Sequence, residues 1–263
     1  MILERVCHPQ WLSNTWLVAG REGGEGILVD TGGPTAPVLD LVRRHRVRVT
    51  YLLNTHHHSD HTCGNDALRR ATGARLLAHR LEAPRIDGLD ATLEDDERIE
   101  TGGLSVRVLH IPGHTAGQAA FVVSRIDDAD GRAHAGEPAV CFTGDTLFRA
   151  SVGSTTAPGH TTFADLRRSL VDRLLTLPDT TLVAPGHAEP TTIGDERTRN
   201  PFLRVMLGAE PEGNETARHG GREVRLIVWA RDYDGGHKAW VRDQERGDDT
   251  VPGSRVERHG GRS

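Results

Sequence analysis

Thr55-His56-His57-His58-Ser59-Asp60-His61 is the stretch that decides how this chain is read. Before it, VTYLLN (49–54) has the length and β-branched content of a buried strand; after it, GNDALRRATG (64–73) reads as the start of a helix. Imidazoles and a carboxylate therefore sit on a strand-to-helix bend, where a short loop can aim several side chains at one point. The i, i+2 spacing lets His56 and His58 share one ion, whereas Asp60 and His61, past the bend, suit a second. Imidazole with carboxylate is the donor set of Zn, Fe or Mn. A solvated histidine-rich loop is the competing reading of the heptapeptide taken alone.

Three more strand ends repeat the pattern. LSVRVLH (104–110) runs into Pro112-Gly113-His114-Thr115, AVCFT (139–143) into Gly144-Asp145-Thr146, and TLVAP, from 181, into Gly186-His187. Glycine lets the backbone turn sharply and lets a ligand approach closely, and functional residues gather at one edge of a sheet. Any one of these ends is an ordinary turn; together they point to a shared site. NTWLVAG (14–20), GILVD (26–30), ARLLAH (74–79) and AAFVVS (119–124) also read as strands. Pro37–His45 and Thr162–Leu177 read as amphipathic helices, the second with Thr162 as N-cap and Pro178 as its stop. Strands interrupted by helices place the chain in the α/β or α+β class.

The series HxHxDH, PGHT, TGD and PGH, in that order within residues 10–205, resembles the metal-ligand set of the metallo-β-lactamase superfamily. The resemblance implies an αββα sandwich, two mixed sheets face to face with helices outside. It implies one divalent ion held by His56, His58 and His114, a second by Asp60, His61 and His187, and Asp145 bridging the two. Zinc is the default metal, with iron or manganese compatible. Asp60, together with a water shared by the metals, is the implied catalytic group, and Asp30 in Val29-Asp30-Thr31-Gly32 would orient a ligand rather than bind metal.

The flanks GDTLFRASVGSTTAPGH (144–160) and LPDTTLVAPGHAEPTTIGDERTRNPFLR (177–204) are similar to the glyoxalase II (hydroxyacylglutathione hydrolase) branch, compact bacterial type. That implies a thioesterase cleaving an acylated small thiol, S-2-hydroxyacylglutathione or an analogue, by a metal-bridging hydroxide. Two departures stand out. A β-like tail replaces the long helical C-terminal domain of typical glyoxalase II enzymes, and Ser154 stands where the branch commonly carries arginine. The first alternative is a mononuclear iron persulfide dioxygenase of the same superfamily, using His56, His114 and Asp145. The second is a non-catalytic or nucleic-acid-processing member, although only 42 residues separate Asp145 from His187, too few for the inserted domain of the superfamily's nucleases.

A formal charge of −5 with 26% charged residues offers no electrostatic footprint for nucleic acid or a membrane surface. No apolar run is long enough to span a bilayer, and MILERVCHPQWL shows no export signal. Three cysteines (Cys7, Cys63, Cys141) in no CxxC arrangement fit reduced thiols, so a cytoplasmic location is expected. The expected partner is a small-molecule thioester; a homo-oligomer is left open.

Residues 1–207 read as the catalytic domain and 208–263 as a linker (208–222) with a small β-rich appendage of three strands (223–233, 237–243, 249–258). Its ten Lys/Arg nearly cancel eleven Asp/Glu, so it is no basic arm. Trp229, Tyr233 and Trp240 read as the appendage's own core. His57 reads as a support, His160 as a loop or capping residue and His110 as a neighbour of the ligands. Cys63 reads as a buried packing thiol, and LEDDERIE (93–100) as a solvated loop.

Overall fold

In the strand Asn14–Ala19, Trp16 and Val18 enter one core while Leu17 and Ala19 enter another, which is the period-two geometry of a strand buried on both faces. The same division builds the whole molecule. The structure, a computed structural model, describes residues 1–126 and 136–258. Its first large sheet runs Ile2–Cys7, Asn14–Ala19, Glu25–Val29, Arg48–Asn54, Arg75–His79 and Ala91–Leu93 in chain order, antiparallel at first and parallel from the third strand onward. The second orders Thr191–Thr192, Leu182–Pro185, Val140–Gly144, Ala119–Arg125, Leu104–His110 and Arg98–Thr101.

Leu53 and Leu77 of the first sheet meet Val106, Phe121 and Phe142 of the second between the layers. Outside, the helices Thr35–Arg44 and Asn65–Thr72 cover the first sheet through Val38 and Leu68. A helical run from Phe163 to Thr176 covers the second through Leu166, Leu170 and Leu174. Thr162 opens that run as expected: its hydroxyl accepts from the Asp165 N–H, and the Asp165 carboxylate accepts from the Thr162 N–H. The result is the αββα sandwich. Among the described residues no helix is long and apolar enough to cross a membrane.

Sequence and structure part company in several places. Arg98–Thr101, which overlaps the end of the acidic stretch read as loop, pairs as a strand with Leu104–His110. Ile2–Cys7 is an edge strand that no apolar run announced. The tail is a five-stranded sheet rather than three strands, because the segment read as linker holds the strand Glu215–His219 and the stretch read as the last strand divides into Gly247–Pro252 and Val256–Arg258. Only Ala217 of that strand is buried, so its composition looks like loop. Its signal was Gly220-Gly221, whose positive φ values (58° and 78°) make the tight turn into the strand Arg222–Arg231.

The C-terminal sheet also shares a core with the sandwich. A register shift between Leu226 and Val228 redirects side chains. Leu226 faces the sheet's own small core with Val224 and Val241, whereas Ile227 and Val228 join Leu203 and Phe163 beneath the helices. Trp240 follows them, its ring 4.6 Å from Phe163. It therefore fills the junction and not a separate appendage core, as the sequence suggested; Trp229 does pack against the sheet's own cluster. Trp240→Ala is predicted to cost about 3–5 kcal/mol and half-buried Trp229→Ala clearly less. Urea unfolding of both variants checks the order, and equal losses would contradict the shared core.

Candidate metal centre

The strands Arg48–Asn54, Leu104–His110, Val140–Gly144 and Leu182–Pro185 deliver their following loops to one place. There His58 Nδ1 lies 3.0 Å from His56 Nε2 and 3.1 Å from His114 Nε2. Beside this group, His187 Nε2 lies 3.2 Å from His61 Nε2 and 3.3 Å from Asp60 Oδ2. Asp145 stands between them: Oδ1 is 3.3 Å from His61, and Oδ2 is 3.3 Å from His187 and 3.6 Å from His114. All seven residues singled out in the sequence are thus brought together. The donor atoms of His56, His58 and His114 lie within 4.8 Å of one another, as do those of Asp60, His61 and His187.

Asp145 Oδ1 is buried with no hydrogen-bond donor, although it faces imidazole nitrogens. An orphaned carboxylate lone pair amid nitrogen donors is what a divalent cation satisfies. The residues therefore fit two ions, with Asp145 placed to be shared. Gly186 makes the close approach sterically feasible: a Cβ there would sit 2.4 Å from Asp145 Oδ1 and 2.7 Å from the His61 ring.

Each imidazole is anchored through its outer nitrogen. His61 Nδ1 is 3.0 Å from Asp30, whose carboxylate also accepts from the N–H and hydroxyl of Thr55, each at 2.8 Å. Asp30 thus lies against the outer nitrogen of His61 and is tied to the strand end at Thr55. His114 Nδ1 meets the Ser154 carbonyl and His187 Nδ1 the Trp11 carbonyl, both at 3.0 Å, and His58 Nε2 meets the Pro158 carbonyl at 2.9 Å. Such partners fix which nitrogen is free to bind metal. His57 is a support, as expected, turned away to Glu82. Fully buried Glu82 also accepts from the Thr115 hydroxyl and the Gly117 N–H, each at 2.7 Å, and so ties the two histidine loops together. Nothing in the sequence marked Glu82.

Other expectations divide. His160 is an exposed loop residue. His110 touches no ligand; it stacks on His79 at 4.2 Å and binds the Ala116 carbonyl, bracing the loop behind His114. Cys63 is exposed rather than buried, because the short helix Ser59–Thr62 turns it outward with Sγ 3.8 Å from the Thr31 carbonyl. Tyr233 is not in the tail's core either. It leaves the C-terminal sheet in a turn and stacks on His187, with ring centroids 4.6 Å apart.

The two ligand groups differ electrostatically. Burial pushes the His56 and His58 pKa values down and brings His114 to about 4, so these rings stay neutral. Burial would do the same to His61 and His187, but the Asp145 carboxylate, with Asp30 or Asp60, raises both, His187 to about 10. Protons on His61 and His187 compete with a cation for the same nitrogens. In chelator-stripped protein titrated with zinc, the ion at Asp60, His61 and His187 is predicted to weaken between about pH 8 and about pH 6, roughly tenfold per pH unit for each proton displaced, and the other ion far less. Calorimetric titration at both ends checks this; parallel pH slopes would contradict it.

The metallo-beta-lactamase superfamily profile matches residues 8–125. An uncharacterised protein of Mycobacterium bovis is 34% identical over 217 residues, which cover 73% of this chain and 93% of the relative. A hydroxyacylglutathione hydrolase of a Polaromonas species is 35% identical over 218 residues, 81% of this chain and 73% of the relative. Among solved structures, ETHE1 from Myxococcus xanthus superposes with a TM-score of 0.64 at 25% identity, covering 80% of this chain and 92% of that one. With the sandwich, the ligand groups and these likenesses in agreement, the chain belongs to the metallo-β-lactamase superfamily, in its glyoxalase II-like branch.

Proposed function

We propose that this protein is a binuclear metal-dependent hydrolase that cleaves the thioester of an acylated low-molecular-weight thiol, S-2-hydroxyacylglutathione or a close analogue. The observation that carries the reading is the complete second ligand group, Asp60, His61 and His187, sharing Asp145 with the first. When bound, such a metal pair supplies an acidified water and a Lewis acid for the substrate carbonyl. The chain's own residues do the rest. Asp30 and the carbonyls of Ser154 and Trp11 hold His61, His114 and His187 in register.

Asp60 is the acidic ligand open to the cleft, its side chain 30% exposed against 8% for Asp145. Burial acts to raise its pKa, but His187 and His61 outweigh this and hold it below the usual carboxylate range. It is therefore the carboxylate placed to accept the proton of the attacking water. A thioester suits the site because a thiolate leaves with little help from a general acid. The likeness to hydroxyacylglutathione hydrolases supports this choice, and the free Cys7, Cys63 and Cys141 support a reducing, cytoplasmic setting.

A second reading has a specific support. ETHE1 is a persulfide dioxygenase, and its likeness to this chain favours the mononuclear iron alternative built on His56, His114 and Asp145. Against it stands the second ligand group, which a single iron leaves without a task.

The two readings separate in one experiment on the metal-loaded protein. Thiol release from S-lactoylglutathione and other acyl thiols is predicted, with no oxygen uptake on glutathione persulfide; the reverse pattern would replace the hydrolase reading by the oxygenase one. Asp145→Ala is predicted to lower kcat/KM by about a thousandfold or more, since several kcal/mol of charge stabilisation depend on the shared ligand. Retention of full activity and both metals would overturn the assignment.

A further inference from the structure

The C-terminal sheet reaches the candidate metal centre at two points, and neither belongs to the set of ligands. The first is the turn between the strands Arg222–Arg231 and His237–Asp243. It places the Tyr233 ring on the face of His187 at 4.6 Å and 14°. The same ring meets Phe148 at 4.8 Å, and Phe148 in turn faces the edge of His187 at 6.0 Å.

The turn itself is pinned from inside. Asp232 pairs with Lys238 at 3.0 Å, each side chain 6% exposed, and accepts from the Ser151 hydroxyl at 2.7 Å and the Tyr233 N–H at 2.9 Å. A turn held by a buried ion pair and by a residue of the sandwich is not free to drift, so the tyrosine it carries is fixed against the ligand.

The second point is the edge strand Gly247–Pro252. The Thr250 carbonyl accepts from the Thr155 N–H and the Ser154 hydroxyl, both at 3.0 Å, and the Thr250 hydroxyl donates to the Gly153 carbonyl at 2.6 Å. Asp249 accepts from the Thr155 hydroxyl at 2.8 Å. The loop so clamped is the one whose Ser154 carbonyl anchors His114.

His187 shows why this matters. Among the described residues, its outer nitrogen is anchored by one backbone carbonyl, that of Trp11. The torsion that swings an imidazole about its Cβ–Cγ bond is broad and soft. A single hydrogen bond at one corner leaves that swing open, whereas a ring stacked flat on the face closes it.

We propose that Tyr233 is a positioning residue for the second ion, acting through His187, and that the C-terminal sheet is in this way a working part of the metal centre. The inference rests on the binuclear reading but not on the choice of thioester as substrate. The Tyr233 phenol need not reach the metals or the substrate; the stacked ring is what acts. Phenylalanine should therefore replace it, and a residue of similar bulk without a ring should not.

The test uses the full chain, stripped with a chelator and reloaded with zinc alone in competition with a chromophoric chelator. In Tyr233→Ala and Tyr233→Leu, one of the two ions is expected to bind on the order of tenfold more weakly, the loss found when the residue orienting a ligand is removed. The other ion keeps its affinity, and Tyr233→Phe restores both. The visible spectrum of the cobalt(II)-loaded proteins should change in Tyr233→Ala and Tyr233→Leu and not in Tyr233→Phe. Thermal melting of the stripped proteins guards against general damage. Loss of both ions in proportion to a lowered melting temperature would make Tyr233 merely structural and overturn the proposal, and so would unchanged binding of both ions in Tyr233→Leu. If the unaltered protein takes up only one ion, the binuclear reading falls first and the role of Tyr233 with it.

Discussion

Five imidazoles and two carboxylates aim unshared electron pairs into one small volume, and the protein supplies too few donors to pair them all. Burying such groups unpaired is costly, so the arrangement is stable only with protons or cations among them. Asp145 concentrates the problem. It is almost wholly buried, holds an oxygen with no donor, and faces both ligand groups at once. Its neighbours His187 and His61 keep it ionised against the pull of burial. The rest of the fold answers this constraint: four strands from two sheets end level, so that four loops can converge.

The ligand loops were legible because their signals are local. His56 to His61 lie within six residues, and a glycine precedes each of His114, Asp145 and His187. Buried strands such as Asn14–Ala19 and Leu104–His110 announced themselves by apolar length. What stayed hidden depends on distant parts of the chain. Glu82 sits in a turn without a motif, and Thr115 and Gly117, distant along the chain, close over it. Arg98–Thr101 and Glu215–His219 become strands through their ladder partners, since little in their composition favours one. Alternation could place Trp240 on one face of a strand, but it could not say which of two cores that face would meet.

The C-terminal sheet is joined both to the sandwich core and to the candidate metal centre. It shares a core with the helices through Ile227, Val228 and Trp240, covers its own edge strand with the loop at 153–155, and turns Tyr233 back over His187. An edge paired in this way is protected from pairing with other chains. The same contacts hold Ser154 in place. Its carbonyl orients His114 whatever its side chain is, and its hydroxyl is engaged by Thr250.

A pair of cations in one pocket with Asp145 between them leaves a direct signature. Anomalous diffraction from crystals grown with zinc addresses it most directly. Two peaks are expected, one among His56, His58 and His114 and one among Asp60, His61 and His187, each within bonding distance of Asp145. A single peak, or a second one away from His187, would contradict it.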